Sequence, residues 1–100
     1  GPGAQQVSIG NAFLWPDRGD VAVWVAIDPK STLYIDFKEE IFEGMTQPSP
    51  GTYRVNCMGA RCDSGKIKAG VAHKAYEYTQ TILLASGKAD KADGRIIIKP

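Results

Sequence analysis

The sequence has very few of the side chains on which enzyme active sites depend. Its 100 residues include one histidine and two cysteines. Nucleophilic catalysis needs a nucleophile, a base and a group that orients the base. The only imidazole, that of His73, lies among Val71, Ala72 and Ala75, a setting typical of a structural histidine. We therefore expect a protein that is not an enzyme.

Ligands for metals and phosphates are equally scarce. Structural zinc sites use four ligands, mostly cysteine and histidine, and this chain would have to complete such a set with carboxylates. The eleven glycines are scattered among turns and form no phosphate-binding loop. We expect no metal ion and no cofactor.

Long apolar runs and a strong excess of one charge are also missing. The longest apolar run, residues 21–27, is far shorter than the roughly 20 residues that a membrane helix needs. The net charge is +1 and the isoelectric point is about 8.0, whereas nucleic-acid-binding domains typically exceed about 9. We expect neither a membrane span nor dedicated nucleic-acid binding.

The chain has the length and composition of one globular domain. A length of 100 residues suits a single core. Hydrophobic residues make up 43% and charged residues 23%, an ordinary globular mixture. Residues 1–3, Gly-Pro-Gly, look like the remnant of a cleaved purification tag. We therefore expect a single β domain over residues 4–100.

Turn-forming residues divide the chain into short segments of strand character. These turns are predicted at residues 16–20, 28–31, 47–51, 63–65 and 91–94, and the polar repeat at 88–93 is interpreted as a hairpin loop. Between them, apolar residues recur with the period of two that is typical of strands. Strands are predicted over residues 7–15, 21–27, 32–37, 53–58 and 95–99. The spacing predicts a mainly β fold, a small antiparallel β-sandwich or barrel.

Residues 21–27 form the clearest strand. Both of its faces are apolar, so we place it centrally in a sheet. Val23 and Val25 are expected to face the core. Trp24 alternates with alanines on the other face and is interpreted as packed against a close neighbour.

Two segments are ambiguous. Asp36 and Glu39 have the spacing of a capping box, so residues 39–44 could form one short helical turn. Residues 70–86 carry apolar side chains at helical spacing, and a helix there would make an α+β domain. With period two, the same region gives strands near 67–71 and 79–85. We favour strands, because residues 76–82 are rich in β-branched and aromatic side chains.

Residues 50–55, Pro-Gly-Thr-Tyr-Arg-Val, resemble the turn that opens a late strand in immunoglobulin-like sandwich domains. In those domains a tyrosine near the strand start bonds back to the backbone at the corner. The resemblance implies a sandwich that is immunoglobulin-like in style. The inter-sheet disulfide of antibody domains is absent, since Cys57 and Cys62 lie close together in the sequence.

Cys57 and Cys62 are predicted to form a disulfide across a hairpin. A tight turn between neighbouring strands brings two cysteines within the roughly 7 Å between Cα atoms that a disulfide requires. Disulfides persist in oxidising compartments. We therefore expect a secreted or otherwise extracytoplasmic protein, in a periplasm or at a cell surface.

Basic residues concentrate around the cysteine hairpin, whereas the first half of the chain is acidic. If the flanking strands pair, several of these bases share one exposed face, which two tyrosines continue. Such a face suits phosphates, anionic glycans or an acidic protein surface. The alternative is that these bases neighbour the acidic residues 36–43 within the fold. Trp15, which precedes a proline at a strand end, is interpreted either as an exposed stacking platform or as a core residue on the second face of the sheet. The candidate binding residues are Arg54, Arg61, Lys66, Lys68, Lys74, Tyr76, Tyr78 and Trp15.

The tripeptide Arg18-Gly19-Asp20 resembles integrin-binding loops. Three such residues also make a natural turn between two strands, and we interpret them as that turn.

These observations favour a non-catalytic, extracytoplasmic interaction module that presents a basic face and loops to a protein or glycan partner. Two alternatives remain at this stage. One is a secreted effector or inhibitor that acts on a host or competitor protein. The other is a structural subunit of a surface assembly, in which the acidic half of one copy docks on the basic half of the next.

Overall fold

The structure is a computed structural model, and it describes residues 4–6 and 11–100. Strands account for 54% of the described residues and helical residues for 3%, and two sheets pack around one core. This confirms the predicted mainly β sandwich, and the sheets do not close into a barrel. The expected tag remnant at residues 1–3 and the predicted strand residues 7–10 lie outside the described residues.

The described strands are divided between two sheets. These are β1 (Ala4–Gln6), β2 (Asn11–Leu14), β3 (Val21–Val25), β4 (Thr32–Phe37), β5 (Thr46–Ser49), β6 (Thr52–Arg54), β7 (Asn56–Met58), β8 (Arg61–Asp63), β9 (Ala75–Leu83) and β10 (Ala89–Ile98). The four-stranded sheet has the order β1-β3-β8-β7, and the six-stranded sheet has the order β2-β10-β9-β4-β6-β5. No helix of the described chain is long and apolar enough to cross a membrane.

The pairing is not purely antiparallel as predicted. β1 pairs with β3 in parallel, and β2 pairs with β10 in parallel, whereas the other strand pairs are antiparallel. Strand direction depends on which distant segments meet. Alternation along a single segment carries no such information.

The predicted helical turn at residues 39–44 is absent. Ile41 and Phe42 are buried there, and Phe42 forms an antiparallel bridge with Ile67. The amide of Glu43 donates to the Lys66 carbonyl at 2.8 Å. Burial of two adjacent apolar side chains therefore overrides the local capping signal. The only helical turn in the described residues is the 3-10 turn Pro16–Arg18.

The C-terminal region forms a long hairpin. Strand β9 confirms that residues 75–83 are not helical. Near residues 67–71, pairing is limited to the Ile67 bridge. The segment 88–93 is not a loop, because β10 begins at Ala89, and the turn lies earlier, where the Leu84 amide donates to the Lys88 carbonyl at 2.8 Å.

An aromatic cluster fills the core. Trp24 packs edge-on against Phe37 and Tyr78, with ring centroids 6.3 and 5.5 Å apart, and Phe42 continues the cluster from Phe37. This confirms that Trp24 is a core residue. The expectation for the valine face is only partly right, because Val23 is buried while Val25 is 46% exposed. Two apolar faces alone do not reveal which one meets the second sheet.

Cys57 and Cys62 form the predicted disulfide. They are directly opposite each other in the hairpin of β7 and β8, with Cα atoms 3.9 Å apart. Cys62 is fully buried. A disulfide indicates an oxidising, extracytoplasmic compartment.

We expect neither thiol to react with iodoacetamide before reduction and both to react afterwards. Intact mass measures this difference directly. In the chain-entropy picture so short a loop adds about 2 kcal/mol to the free energy of unfolding. Two thiols alkylated in the unreduced native protein would contradict both the disulfide and the compartment inferred from it.

Candidate binding surface

The cations of the predicted basic face are mostly paired with carboxylates of the same chain. Arg54 on β6 lies directly opposite Asp36 on β4. Its Nε and Nη2 donate to the two carboxylate oxygens at 2.8 and 3.1 Å, and its guanidinium lies 4.7 Å from the Tyr34 ring centroid. Hydrogen bonding to Asp36 raises the pKa of Arg54. This arginine is a half-buried cross-strand link.

The other bases of this group are dispersed. Arg61 pairs with Asp63 at 2.8 Å on the four-stranded sheet. The segment after β4 supplies the other partners, since Glu40 accepts from Lys68 at 3.1 Å and Glu39 lies 3.4 Å from the Lys74 ammonium. Lys66 has no ion pair among the described residues. A binding role for these bases stays a prediction, but most of their charge is already compensated.

Tyr76 and Tyr78 do not continue an exposed line, and that expectation is wrong. Their side chains are 5% and 2% exposed and belong to the core. On β9 they alternate with outward-facing residues, so the inner face of the strand carries both tyrosines. Burial raises the pKa of each hydroxyl. The Tyr76 hydroxyl donates to the Ala72 carbonyl at 2.8 Å.

Replacing Arg54 with alanine is expected to lower the free energy of unfolding by about 1 kcal/mol, because a bidentate, half-buried pair is worth more than a solvent-exposed one. Urea denaturation measures the change. Lys66→Ala, which removes a base without an ion pair in the described chain, is the matched control and should change stability by less than about 0.5 kcal/mol. Equal effects of the two variants would show that the Arg54 pair does not stabilise the fold.

Trp15 lies beside an exposed aromatic ring at the edge of the six-stranded sheet. Leu14 on β2 is buried, so its neighbours Phe13 and Trp15 project from the opposite face. Their ring centroids are 6.5 Å apart, and Phe13 is 40% exposed. Phe13 and Trp15 thus share a face, and it is the outer face of the sheet.

A cation lies over each of these two rings. The Arg18 guanidinium lies 4.4 Å from the Trp15 ring centroid, and the Lys99 ammonium lies 5.0 Å from that of Phe13. Ile97 on β10 is directly opposite Phe13 and is half-buried. We call Phe13, Trp15, Arg18, Ile97 and Lys99 the edge aromatic patch. It combines apolar area with two positive charges.

The turn after β2 holds this patch in place. Pro16–Arg18 form the 3-10 turn, and Gly19 ends it with a φ of 68°, which favours glycine. Asp20 is 4% exposed and accepts a hydrogen bond from the Trp15 amide at 2.8 Å. The Arg-Gly-Asp tripeptide is therefore the turn that was predicted. Its carboxylate serves the fold and does not face solvent.

Sequence reasoning found only one member of the edge aromatic patch. The spacing of Phe13, Trp15 and Arg18 was a local signal that could have extended the site. Ile97 and Lys99 had no such signal, because they reach the patch only through the parallel pairing of β2 with β10.

An open depression lies beside the ends of β4 and β9. Lys38, Glu39, Glu77 and Arg95 line it, and the Arg95–Glu77 pair is long at 3.5 Å. His73 is exposed and does not line it. In the part of the chain that the structure describes, no three histidine, cysteine, aspartate or glutamate side chains are grouped to hold a metal ion.

Comparison with known proteins found no match: no family model fits the sequence, and no curated protein or solved structure is significantly similar to it.

Proposed function

We propose that this protein is a non-catalytic, extracytoplasmic binding module that holds a protein partner through the edge aromatic patch. The observation that carries the proposal is the pair of aromatic rings at a sheet edge, each covered by a cation without an ion pair in the described chain. Tryptophan and arginine are enriched among the residues that dominate binding energy in protein interfaces.

The rest of the molecule supports this choice of surface. Four of the five predicted bases already neutralise carboxylates of the same chain, so they offer a partner less uncompensated charge than Arg18 and Lys99. The patch lies on a strand and on the turn that Asp20 fixes, which limits the entropy lost on binding. The disulfide supports an extracytoplasmic setting.

An unbiased selection tests the site. Peptides selected from a random display library on the native protein are expected to lose about tenfold or more in affinity for Trp15→Ala, because the ring supplies much of the apolar contact area. Fluorescence anisotropy measures the affinity, and thermal melts check folding. Tyr34→Ala is the matched control, since Tyr34 also lies under an arginine, but one that is paired with Asp36.

Arg18→Ala tests the same site without deleting a half-buried ring. It therefore decides whether the edge aromatic patch binds even if the Trp15→Ala protein folds poorly. Selected ligands that bind both patch variants as well as the native protein would contradict the proposed site. A glycan array run in parallel addresses partner class. Binding of glycans with no selectable peptide would overturn the assignment of a protein partner.

A further inference from the structure

In the part of the chain that the structure describes, strand β2 has backbone groups without a strand partner on one side. It is the first strand in the order of the six-stranded sheet, and β10 is its neighbour in the described chain. The Leu14 carbonyl accepts from the Lys99 amide at 2.9 Å, so Leu14 and Ala12 point their backbone groups at β10. The N–H and C=O groups of Asn11 and Phe13 therefore point to the free edge.

The turn after β2 closes the free edge at its C-terminal end. The Trp15 amide would be the next outward donor, and the Asp20 carboxylate already accepts its hydrogen at 2.8 Å. The edge thus offers Asn11 and Phe13 to an added strand, beside the rings and cations of the edge aromatic patch. An edge with unpaired backbone groups can pair with an extended segment of another chain.

The charge beside this edge indicates which side chains the added segment of the partner carries. In the described chain, the ion pairs involve Arg54, Arg61, Lys68, Lys74 and Arg95, but neither Arg18 nor Lys99. A strand added to β2 would direct every second side chain to the outer face, where these two cations lie. Carboxylates at alternate positions of that strand would meet them.

We infer that the partner presents an extended acidic peptide segment, which adds to β2 as a further strand. Its backbone bonds to Asn11 and Phe13, and its alternate acidic side chains, on the outer face of the sheet, contact Arg18 and Lys99. Main-chain bonds to a sheet edge supply affinity in this mode of recognition, and alternate side chains supply specificity. The inference rests on the proposed function and names the partner's chemistry.

The probes are fluorescent peptides of about eight residues, long enough to span the edge. One alternates valine and aspartate, a second alternates valine and lysine, and a third is the valine–aspartate peptide with alternate amides N-methylated. We expect the affinity of the first peptide to be about tenfold or more higher than that of the other two. Its affinity should fall as the salt concentration is raised from about 0.05 to about 0.5 M.

Two variants separate backbone from charge recognition. Asn11→Pro removes an outward N–H and leaves the bonds to β10 intact, since proline is tolerated on an edge strand whose N–H faces solvent. This variant should lower the affinity for the valine–aspartate peptide several-fold and leave the melting temperature of the protein unchanged. The double variant Arg18→Glu with Lys99→Glu should reverse the preference, so that the valine–lysine peptide becomes the tighter ligand.

Each failure has a distinct meaning. Equal affinity for the acidic and basic peptides would contradict the inference that the partner's segment is acidic. A preference for the acidic peptide that survives the charge reversal would contradict it too. Full affinity of the N-methylated peptide overturns strand addition. In both cases the proposed function stands if library-selected ligands still depend on Trp15. If selected ligands ignore Trp15 and Arg18, the proposed function fails together with this inference.

Discussion

Replacing Trp24 with alanine is expected to lower the free energy of unfolding by about 3–5 kcal/mol. Trp24 is 1% exposed and packs between the two sheets against Phe37 and Tyr78. Alanine would leave a cavity at this position. The neighbouring rings cannot move to fill it, because they are held by two hydrogen-bonded sheets. A small domain has only about 5–15 kcal/mol of total stability, so much of it would be lost. Urea denaturation followed by circular dichroism measures the change.

Val25→Ala on the same strand is the matched control. Val25 projects from the outer face of β3, so its truncation should change stability by less than about 1 kcal/mol. If Trp24→Ala does not fold, Trp24→Phe gives a smaller loss that remains measurable. A larger effect at Val25 than at Trp24 would mean that β3 has the opposite face in the core.

Replacing Gly94 with alanine is expected to destabilise the protein by about 3 kcal/mol, at the upper end of the usual range for overpacked cores. Gly94 is buried on β10 directly opposite Tyr78, and an added Cβ would overlap the hydroxyl end of the Tyr78 ring. The ring has little room to move, because Trp24 and Phe37 each pack against it with centroids 5.5 Å away. β10 pairs with β9 at Gly94 itself and with β2 from the next residue onward.

A double-mutant cycle isolates this contact. Tyr78→Leu destabilises the core by itself but shortens the side chain that faces Gly94. In that background Gly94→Ala should cost less than about 1 kcal/mol, which leaves a coupling free energy of about 2 kcal/mol. An equal cost of Gly94→Ala in both backgrounds would contradict the overlap with Tyr78 as its cause.

Prediction from the sequence succeeded where one face of a strand is apolar and the other polar. In residues 32–37 the alternation gave both the strand and the buried side chains Leu33, Ile35 and Phe37. In residues 21–27 both faces are apolar; a strand forms there, but it ends at Val25, and part of its face assignment is wrong. The capping spacing at residue 39 failed because burial of Ile41 and Phe42 outweighed a local hydrogen-bond preference.

The candidate binding surface was less accessible to sequence reasoning. Proximity of bases in the sequence suggested one basic face, but Arg54 and Arg61 belong to different sheets and pair with different acids. The two tyrosines of β9 are predicted to be exposed, because alternation along a strand does not show which of its faces meets the core. Only Trp15 in the edge aromatic patch was singled out, since contacts between the two ends of the chain leave no local pattern.

The pairing of β2 with β10 has a consequence for the order in which the protein forms. Residues 11–14 cannot complete their ladder until residues 95–98 exist, so this contact joins two segments that are far apart in the sequence and closes a long loop between them. Contacts of such high sequence separation slow folding. A chain still being synthesised, or one truncated before β10, would carry Trp15 and Arg18 without Ile97 and Lys99. Binding through the whole edge aromatic patch would therefore require that β10 has been synthesised and has paired with β2.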